Sequence, residues 1–266
     1  MNDLNSLTQQ LSLISKQAGE FIRQERLSFS LESIEYKDVN NLVSYVDKEA
    51  EKLLVEHLSK LLPEAGFITE EGTTGQLADR NGLNWVIDPL DGTANFIHNV
   101  PMYCVSVGLI DKGRTIAGVI YDINRDECYS AYEGGGSWRD GQRIRVSPVK
   151  NLNESMLATG FPYTRFDRMH RYLKILETLM QKTHGLRRMG SAALDLAYVA
   201  CGRFEAFYEF NLNSWDMAAG VLLVKEAGGI VTDFHGGDEF LFRGDVIAGC
   251  AMQPELLEEI RSFWED

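Results

Sequence analysis

Near the start of the chain the apolar positions fall at helical spacing. Leu7, Leu11, Ile14, Ala18, Phe21 and Ile22 line one face, and Ser6 with Gln9 has the form of a capping box, so the segment predicts an amphipathic helix. A second helix is written by "DKEAEKLLVEHLSKLL", starting just after Asp47, with Ala50, Leu53, Leu54, Leu58 and Leu61 on one face and Pro63 as the stop. A short strand "GFIT", a Gly-rich polar loop from Gly72 to Gly82, expected to be mobile, and the strand "NWVID" follow. From Tyr103 the period becomes that of strands: "YCVSVGLI", "TIAGVIYDI", "ECYSAYE" and "RIRVS", separated by "DKG", "NRDE" and "RDGQ", predict an antiparallel meander.

After Pro148 helices and strands alternate. "MLATG", "LRRMG", "EAFYEF", "GIVTDF" and "VIAGC" read as strands; "HRYLKILETLMQ", "SAALDLAYVA", "WDMAAGVLLVKEA" and "PELLEEIRSFWE" read as helices. The pattern predicts stacked layers: an α+β half over residues 1–148 and an α/β half over 149–266, sharing one cleft in one continuous domain without internal repeats.

With 266 residues, 44% of them hydrophobic, the chain can bury a sizeable core. A net charge of −13 argues against nucleic acid or an anionic membrane as the main partner, and means that a phosphate ligand would need bound cations. Cys104, Cys128, Cys201 and Cys250 have no paired spacing and read as reduced core residues. The first segment has no apolar core of a signal peptide and nowhere do 18 apolar residues run together, so a cytoplasmic protein is expected.

Candidate chemistry begins at "NWVIDPLDGTANF". Asp88 ends an apolar strand and Asp91 follows three residues later across Pro89, so both carboxylates can face one spot, where they repel unless a cation lies between them. Hard oxygen donors of this kind, with a carbonyl such as that of Leu90, suit Mg²⁺. The "GT" behind them predicts a short helix whose first amides can cradle a phosphate. Each acidic place also has a plainer reading: an Asx-turn at Asp88, a solvated loop at Glu70 and Glu71, a helix cap at Asp216. Their joint occurrence at three element ends favours a site. The small Ala218, Ala219 and Gly220 after Asp216 read as room for close backbone approach. The five histidines show no zinc-protease spacing, "EGGGSW" reads as a β-turn, and Arg187 with Arg188 is too small a patch for nucleic acid.

The runs "WVIDPLDGTANFIHNVPMYCVSVGL" and "RRMGSAALDLAYVACGRFEAFYEFNLNSWDMAAGVLLVKEAGGIV" resemble the inositol monophosphatase family, in its bacterial branch, with both D-P-x-D-G-T-x-x-F and W-D-x-A-A-G intact. The resemblance runs in order from "VSYVDKEAEKLL" through "TEEG" to "VIAGC". It implies a layered αβαβα sandwich, a homodimer, two to three Mg²⁺ ions per site and sensitivity to lithium. By position it makes Glu70 a ligand of the first metal that also orients water, Asp88 a ligand shared by two metals, the Leu90 carbonyl a ligand of the first, and Asp91 with Asp216 ligands of the second. It places the phosphate on Gly92 and Thr93, pairs the Thr93 hydroxyl with Asp47, and assigns Gly190, Ser191, Ala192 and Glu209 to the substrate. Glu70, Thr93 and Asp47 are the implied catalytic residues.

The implied activity is hydrolysis of myo-inositol 1-phosphate or a similar small polyol phosphate. A 3'(2'),5'-bisphosphate nucleotidase is the first alternative, although that branch reads Lys-Glu-Phe where this chain has Ala94, Asn95 and Phe96. Fructose 1,6-bisphosphatase, histidinol-phosphate phosphatase and, in a different class, a regulatory dimeric binding protein complete the set.

Overall fold

The computed structural model describes residues 3–29, 34–38, 41–75, 79–162 and 166–264; part of the predicted loop between Gly72 and Gly82 thus lies outside the described residues. Two helices open the fold, α1 (Leu4–Ser28) and α2 (Tyr45–Leu61), with a hairpin of β1 (Ile34–Asp38) and β2 (Asn41–Ser44) between them. A seven-stranded sheet follows: β3 (Gly66–Thr69), β4 (Asn84–Asp91), β5 (Cys104–Asp111), β6 (Arg114–Asp122), β7 (Glu127–Tyr132), β8 (Gly136–Arg139) and β9 (Gln142–Arg143), in spatial order of sequence. Only the β3–β4 pair is parallel. The short helix α3 (Thr93–Ile97) leaves the end of β4.

The remaining chain supplies β10 (Met156–Thr159), α4 (Met169–Lys182), β11 (Gly185–Arg187), α5 (Ala192–Ala200), β12 (Ala206–Phe210), α6 (Ser214–Glu226), β13 (Ile230–Thr232), α7 (Phe240–Arg243), β14 (Asp245–Gly249) and α8 (Gln253–Trp264). Its five strands form a mixed sheet in the order β11-β10-β12-β14-β13. Three apolar clusters glue the layers. Leu11, Ile22, Leu54 and Leu58 of α1 and α2 pack with Trp85, Val107 and Val119 of the large sheet. The buried helices α5 and α6 fill the middle, touching Val86, Cys104 and Ile120 on one side and Phe207, Val246 and Ala248 on the other. Tyr172, Leu179, Leu256 and Trp264 of α4 and α8 cover the outer face of the second sheet. The architecture is the expected αβαβα sandwich.

Some local expectations are corrected. Helix α1 starts a turn earlier than the Ser6 box implies: Asp3 is its cap, accepting from the Asn5 amide at 3.2 Å. Helix α2 likewise starts before Asp47, with buried Ser44 as its cap; Asp47 is its third residue and returns a bond to the Ser44 amide, which makes this the real capping box. In the meander, "RIRVS" gives only Arg143 to a strand, the two-residue β9, and the fourth strand is β8, inside the segment read as a turn. The reason lies far off in sequence: Glu226, at the end of α6, accepts from the Gly134 and Gly136 amides at 2.9 and 2.8 Å and sets the chain for pairing with β7. Helix α7 carries no periodic signal because it is one turn long.

The small residues after Asp216 do permit a close backbone approach, and it is to the large sheet. Gly108 and Gly118 sit opposite each other on β5 and β6. A Cβ on Gly118 would lie 2.8 Å from Ala219 Cα, and one on Gly108 would lie 2.9 Å from Ala218 Cβ. The paired glycines and alanines therefore let α6 lie directly on the sheet. We expect Gly118→Val to lower the unfolding free energy by about 3 kcal/mol, because it overpacks against backbone. Since α6 carries Asp216, the same change should weaken divalent-cation binding; an unaltered denaturation midpoint would show that the contact is slack.

Candidate active site

β4 does not stop at Asp88. Its pairing with β5 is irregular between Asp88 and Asp91, where Pro89, which has no N–H to give, occupies the interruption. This break turns both carboxyls and the Leu90 carbonyl out of the regular ladder, and the Leu90 amide donates to Asp88 Oδ1 at 3.0 Å. Gly92 then adopts φ +96°, with its own Cβ position only 2.8 Å from the Met102 carbonyl, so no larger residue fits the turn into α3.

A cavity of about 190 Å³ opens at this point, and it gathers Glu70, Asp88, Leu90, Asp91, Gly92, Thr93, Gly190, Ser191, Ala192, Glu209 and Asp216. Eleven of the twelve residues singled out in the sequence therefore line one space; the twelfth, Asp47, stands behind it. Thr93 Oγ1 lies 2.8 Å from Asp47 Oδ1 and 3.0 Å from the Leu90 carbonyl, and its single proton serves one acceptor at a time. Asp47 Oδ2 accepts from the Ser44 hydroxyl at 2.6 Å. Burial raises the Asp47 carboxyl, and the bonds from Ser44 and Thr93 oppose that rise.

The N-terminus of α5 is turned toward Asp91. Asp91 Oδ2 accepts from the Ser191 hydroxyl and the Ala193 amide, each at 2.7 Å. Burial pushes Asp91 up to about 6 even against these donors. Asp216 is the third residue of α6 and accepts from the amide of the cap residue Asn213 at 2.7 Å, closing a capping box, while it also lines the cavity. Glu209, on β12, is pushed by burial up to about 8, with Arg188 opposing and Asp91 adding to the rise. A Cβ on Gly160 would collide with its carboxyl, so the glycine after β10 makes the space that Glu209 occupies.

Asp88 is raised well above the carboxylate range, first by burial and then by the charges of Glu70, Asp91 and Asp216; it also shares a hydrogen bond with Glu70. Two carboxyls can bond in this way only by holding a proton between them. Among the described residues no set of three or more His, Cys, Asp or Glu side chains stands as a ready-made metal cage. What the cavity has instead is a ring of hard oxygen donors whose repulsion is relieved by protons, and a divalent cation relieves the same repulsion more fully.

Sequence reasoning passed over Thr159, Gly160, Arg188, Asp195, Asn211 and Asn213, which line the same cavity. Asp195 is fully buried with Oδ1 unpartnered among the described residues, and it stands one helical turn after Ser191, a spacing that was readable. Thr159 ends β10, and Gly160, Arg188, Asn211 and Asn213 lie outside the strands and helices, where no periodic signal marks them.

An acidic cavity thus lies where the middle helices of the layered sandwich meet both sheets. This chain belongs to the inositol monophosphatase family, whose model matches residues 3–265. Among similar proteins, the Nus factor SuhB of Pseudomonas aeruginosa is 45% identical over 241 residues, 88% of each chain. The extragenic suppressor protein suhB of Bartonella henselae superposes with a TM-score of 0.88 at 36% identity, over 96% of this chain and 98% of that one. The inositol monophosphatase of Anabaena (Nostoc) superposes with a TM-score of 0.85 at 31% identity, over 99% and 98%. Among the described residues no helix is long and apolar enough to cross a membrane.

Proposed function

We propose that this protein is a Mg²⁺-dependent phosphomonoesterase that releases inorganic phosphate from a small polyol phosphate, most simply myo-inositol 1-phosphate. The observation that carries this reading is the convergence of Glu70, Asp88, Asp91 and Asp216, from three separate parts of the chain, on one cavity beside the first turn of α3. Family membership supports it. Glu70, Asp88, the Leu90 carbonyl, Asp91 and Asp216 would hold the ions, two to three in number. Bound Mg²⁺ would supply charge neutralisation for the phosphoryl oxygens and acidify the attacking water.

The chain's own residues then have distinct tasks. Gly92 and Thr93, at the start of α3, offer amides to the phosphate. When the Thr93 proton is given to Asp47, the Thr93 oxygen is left with lone pairs to accept from water, which aims that water's own lone pair at phosphorus. Glu70 serves the same water from the other side. Glu209, set on the second sheet, faces the organic part with Ser191, Ala192 and Gly190 nearby.

Turnover with Mg²⁺ on myo-inositol 1-phosphate, 3'-phosphoadenosine 5'-phosphate, fructose 1,6-bisphosphate and histidinol phosphate tests the reading, with the first expected to show the highest kcat/KM. Absence of cation-dependent hydrolysis on all four would remove it. Glu209→Gln should raise KM for inositol phosphate by about tenfold to a hundredfold and leave a generic aryl phosphate unaffected, since a lost buried charged bond costs about 1.5–3 kcal/mol. Equal losses on both substrates would place Glu209 in support of the metal donors instead.

A second reading, service as a binding partner within a larger assembly, is supported by the name Nus factor carried by the Pseudomonas relative. Replacing the native gene by an Asp88→Asn version separates the two: a wild-type phenotype without phosphatase activity favours the binding role.

A further inference from the structure

Glu51 is fully buried and lies one helical turn after Asp47 on α2. Its carboxyl does not reach the cavity. Instead Oε2 accepts from the Glu71 amide at 2.7 Å, while Oε1 accepts from the Thr73 amide at 2.8 Å and the Thr73 hydroxyl at 2.7 Å. Three donors from the residues just after Glu70 are thus satisfied by one side chain from another element. On the other side, the Glu70 amide itself donates to the Ile87 carbonyl at 3.2 Å, extending the β3–β4 pairing to the residue before Asp88. The chain at Glu70 is therefore clamped between the strand that carries Asp88 and the helix that carries Glu51.

The same helix face does a second job. Asp47, four residues earlier and also buried, bonds the Thr93 hydroxyl. Residues four apart on a helix project side by side, so one rigid turn of α2 holds the Glu70 segment and the α3 segment at a fixed separation. Neither segment is regular structure along its whole length, and each needs an outside reference to keep its place.

We propose that Glu51 is a positioning residue: its buried carboxyl holds residues 71–73 in the turn that sets Glu70 against Asp88, and with Asp47 it makes the start of α2 the common frame for both halves of the cation-binding ring. The inference rests on the proposed cation-dependent chemistry for its functional meaning. It assigns Glu51 no contact with substrate.

Glu51→Gln is the incisive variant. The amide keeps the shape but turns one acceptor oxygen into an NH₂ donor, which then faces the N–H of either Glu71 or Thr73 at hydrogen-bond distance. Thr73→Val removes only the hydroxyl bond and should give a smaller effect of the same kind. Mn²⁺ alone, followed by electron paramagnetic resonance, should bind Glu51→Gln about tenfold to a hundredfold more weakly than wild type, the range seen when residues supporting metal ligands are changed. Hydrogen exchange at the Glu71 and Thr73 amides should quicken, and the Mg²⁺ needed for half-maximal turnover should rise while KM at saturating Mg²⁺ stays put.

Unchanged Mn²⁺ affinity in a folded Glu51→Gln protein, with unchanged exchange at both amides, overturns the proposal. So does a loss in which KM, Mn²⁺ affinity and melting temperature all worsen together, because that marks general damage to the fold. If wild type hydrolyses nothing, the phosphatase reading falls, and Mn²⁺ binding with amide exchange still decides the role of Glu51.

Discussion

Asp88→Asn is expected to reduce cation-dependent turnover by about a thousandfold or more, because it removes the carboxyl that the other three acids surround. The fold should survive, since the Asn side-chain oxygen can still accept from the Leu90 amide, a local bond that shapes the turn. In the absence of divalent ions the variant should be more stable than wild type. Asp88 is buried and faces the charges of Glu70, Asp91 and Asp216, and a neutral amide relieves both penalties. A gain on the order of 1–3 kcal/mol is expected from replacing this buried, crowded carboxyl by a neutral amide. Calorimetry with a chelator and a turnover assay with Mg²⁺ read the two halves separately. Wild-type turnover in the variant would end the assignment of Asp88 as a cation ligand.

Without divalent ions, wild-type stability should fall as the pH rises from about 4 to 8, using ordinary carboxylate values for the unfolded chain. The sign follows from the raised carboxyls. Asp91 at about 6 and Glu209 at about 8 keep their protons in the folded protein over a range where the unfolded chain has released them. The folded state then binds more protons, so raising the pH costs stability, fully present below the unfolded values and lost through the folded ones. Asp91 alone accounts for a change on the order of 3 kcal/mol. Mg²⁺ should reverse the trend, since it takes the place of the protons: the rise in melting temperature it causes should be small at pH 5 and large at pH 8. A stabilisation by Mg²⁺ that is the same at both pH values would mean that the ion binds away from these acids.

The identities of the acids were legible because element ends are where a buried strand or helix can afford a charged side chain. "DPLDGT" announces a strand, a break and a helix start within six residues, and Pro89 and Gly92 leave the chain little choice about where to turn. The alternation of helices and strands after Pro148 likewise gave the elements of the second half with shifts at their ends, since α4, α5, α6 and α8 are long enough to mark where the short strands between them fall. Four unpaired cysteines were readable as core residues from spacing alone, and all four are free, three of them fully buried.

Contacts between distant segments were not legible. Strand β8 exists because Glu226 fixes the glycines before it, and nothing near "EGGGSW" contains that information. The alanines after Asp216 could equally have admitted a ligand; only the opposing glycines on β5 and β6 make them a packing surface. Asp195 and Glu51 drew no reading from the sequence, since helical periodicity tells which residues share a face and not what that face meets. The sequence by itself determined which side chains could bind a cation and the elements they end. The tertiary structure alone decided that they meet in one cavity, because that depends on α5 and α6 lying between two sheets, which brings Glu70, Asp88 and Asp91 of the first half beside Glu209 and Asp216 of the second.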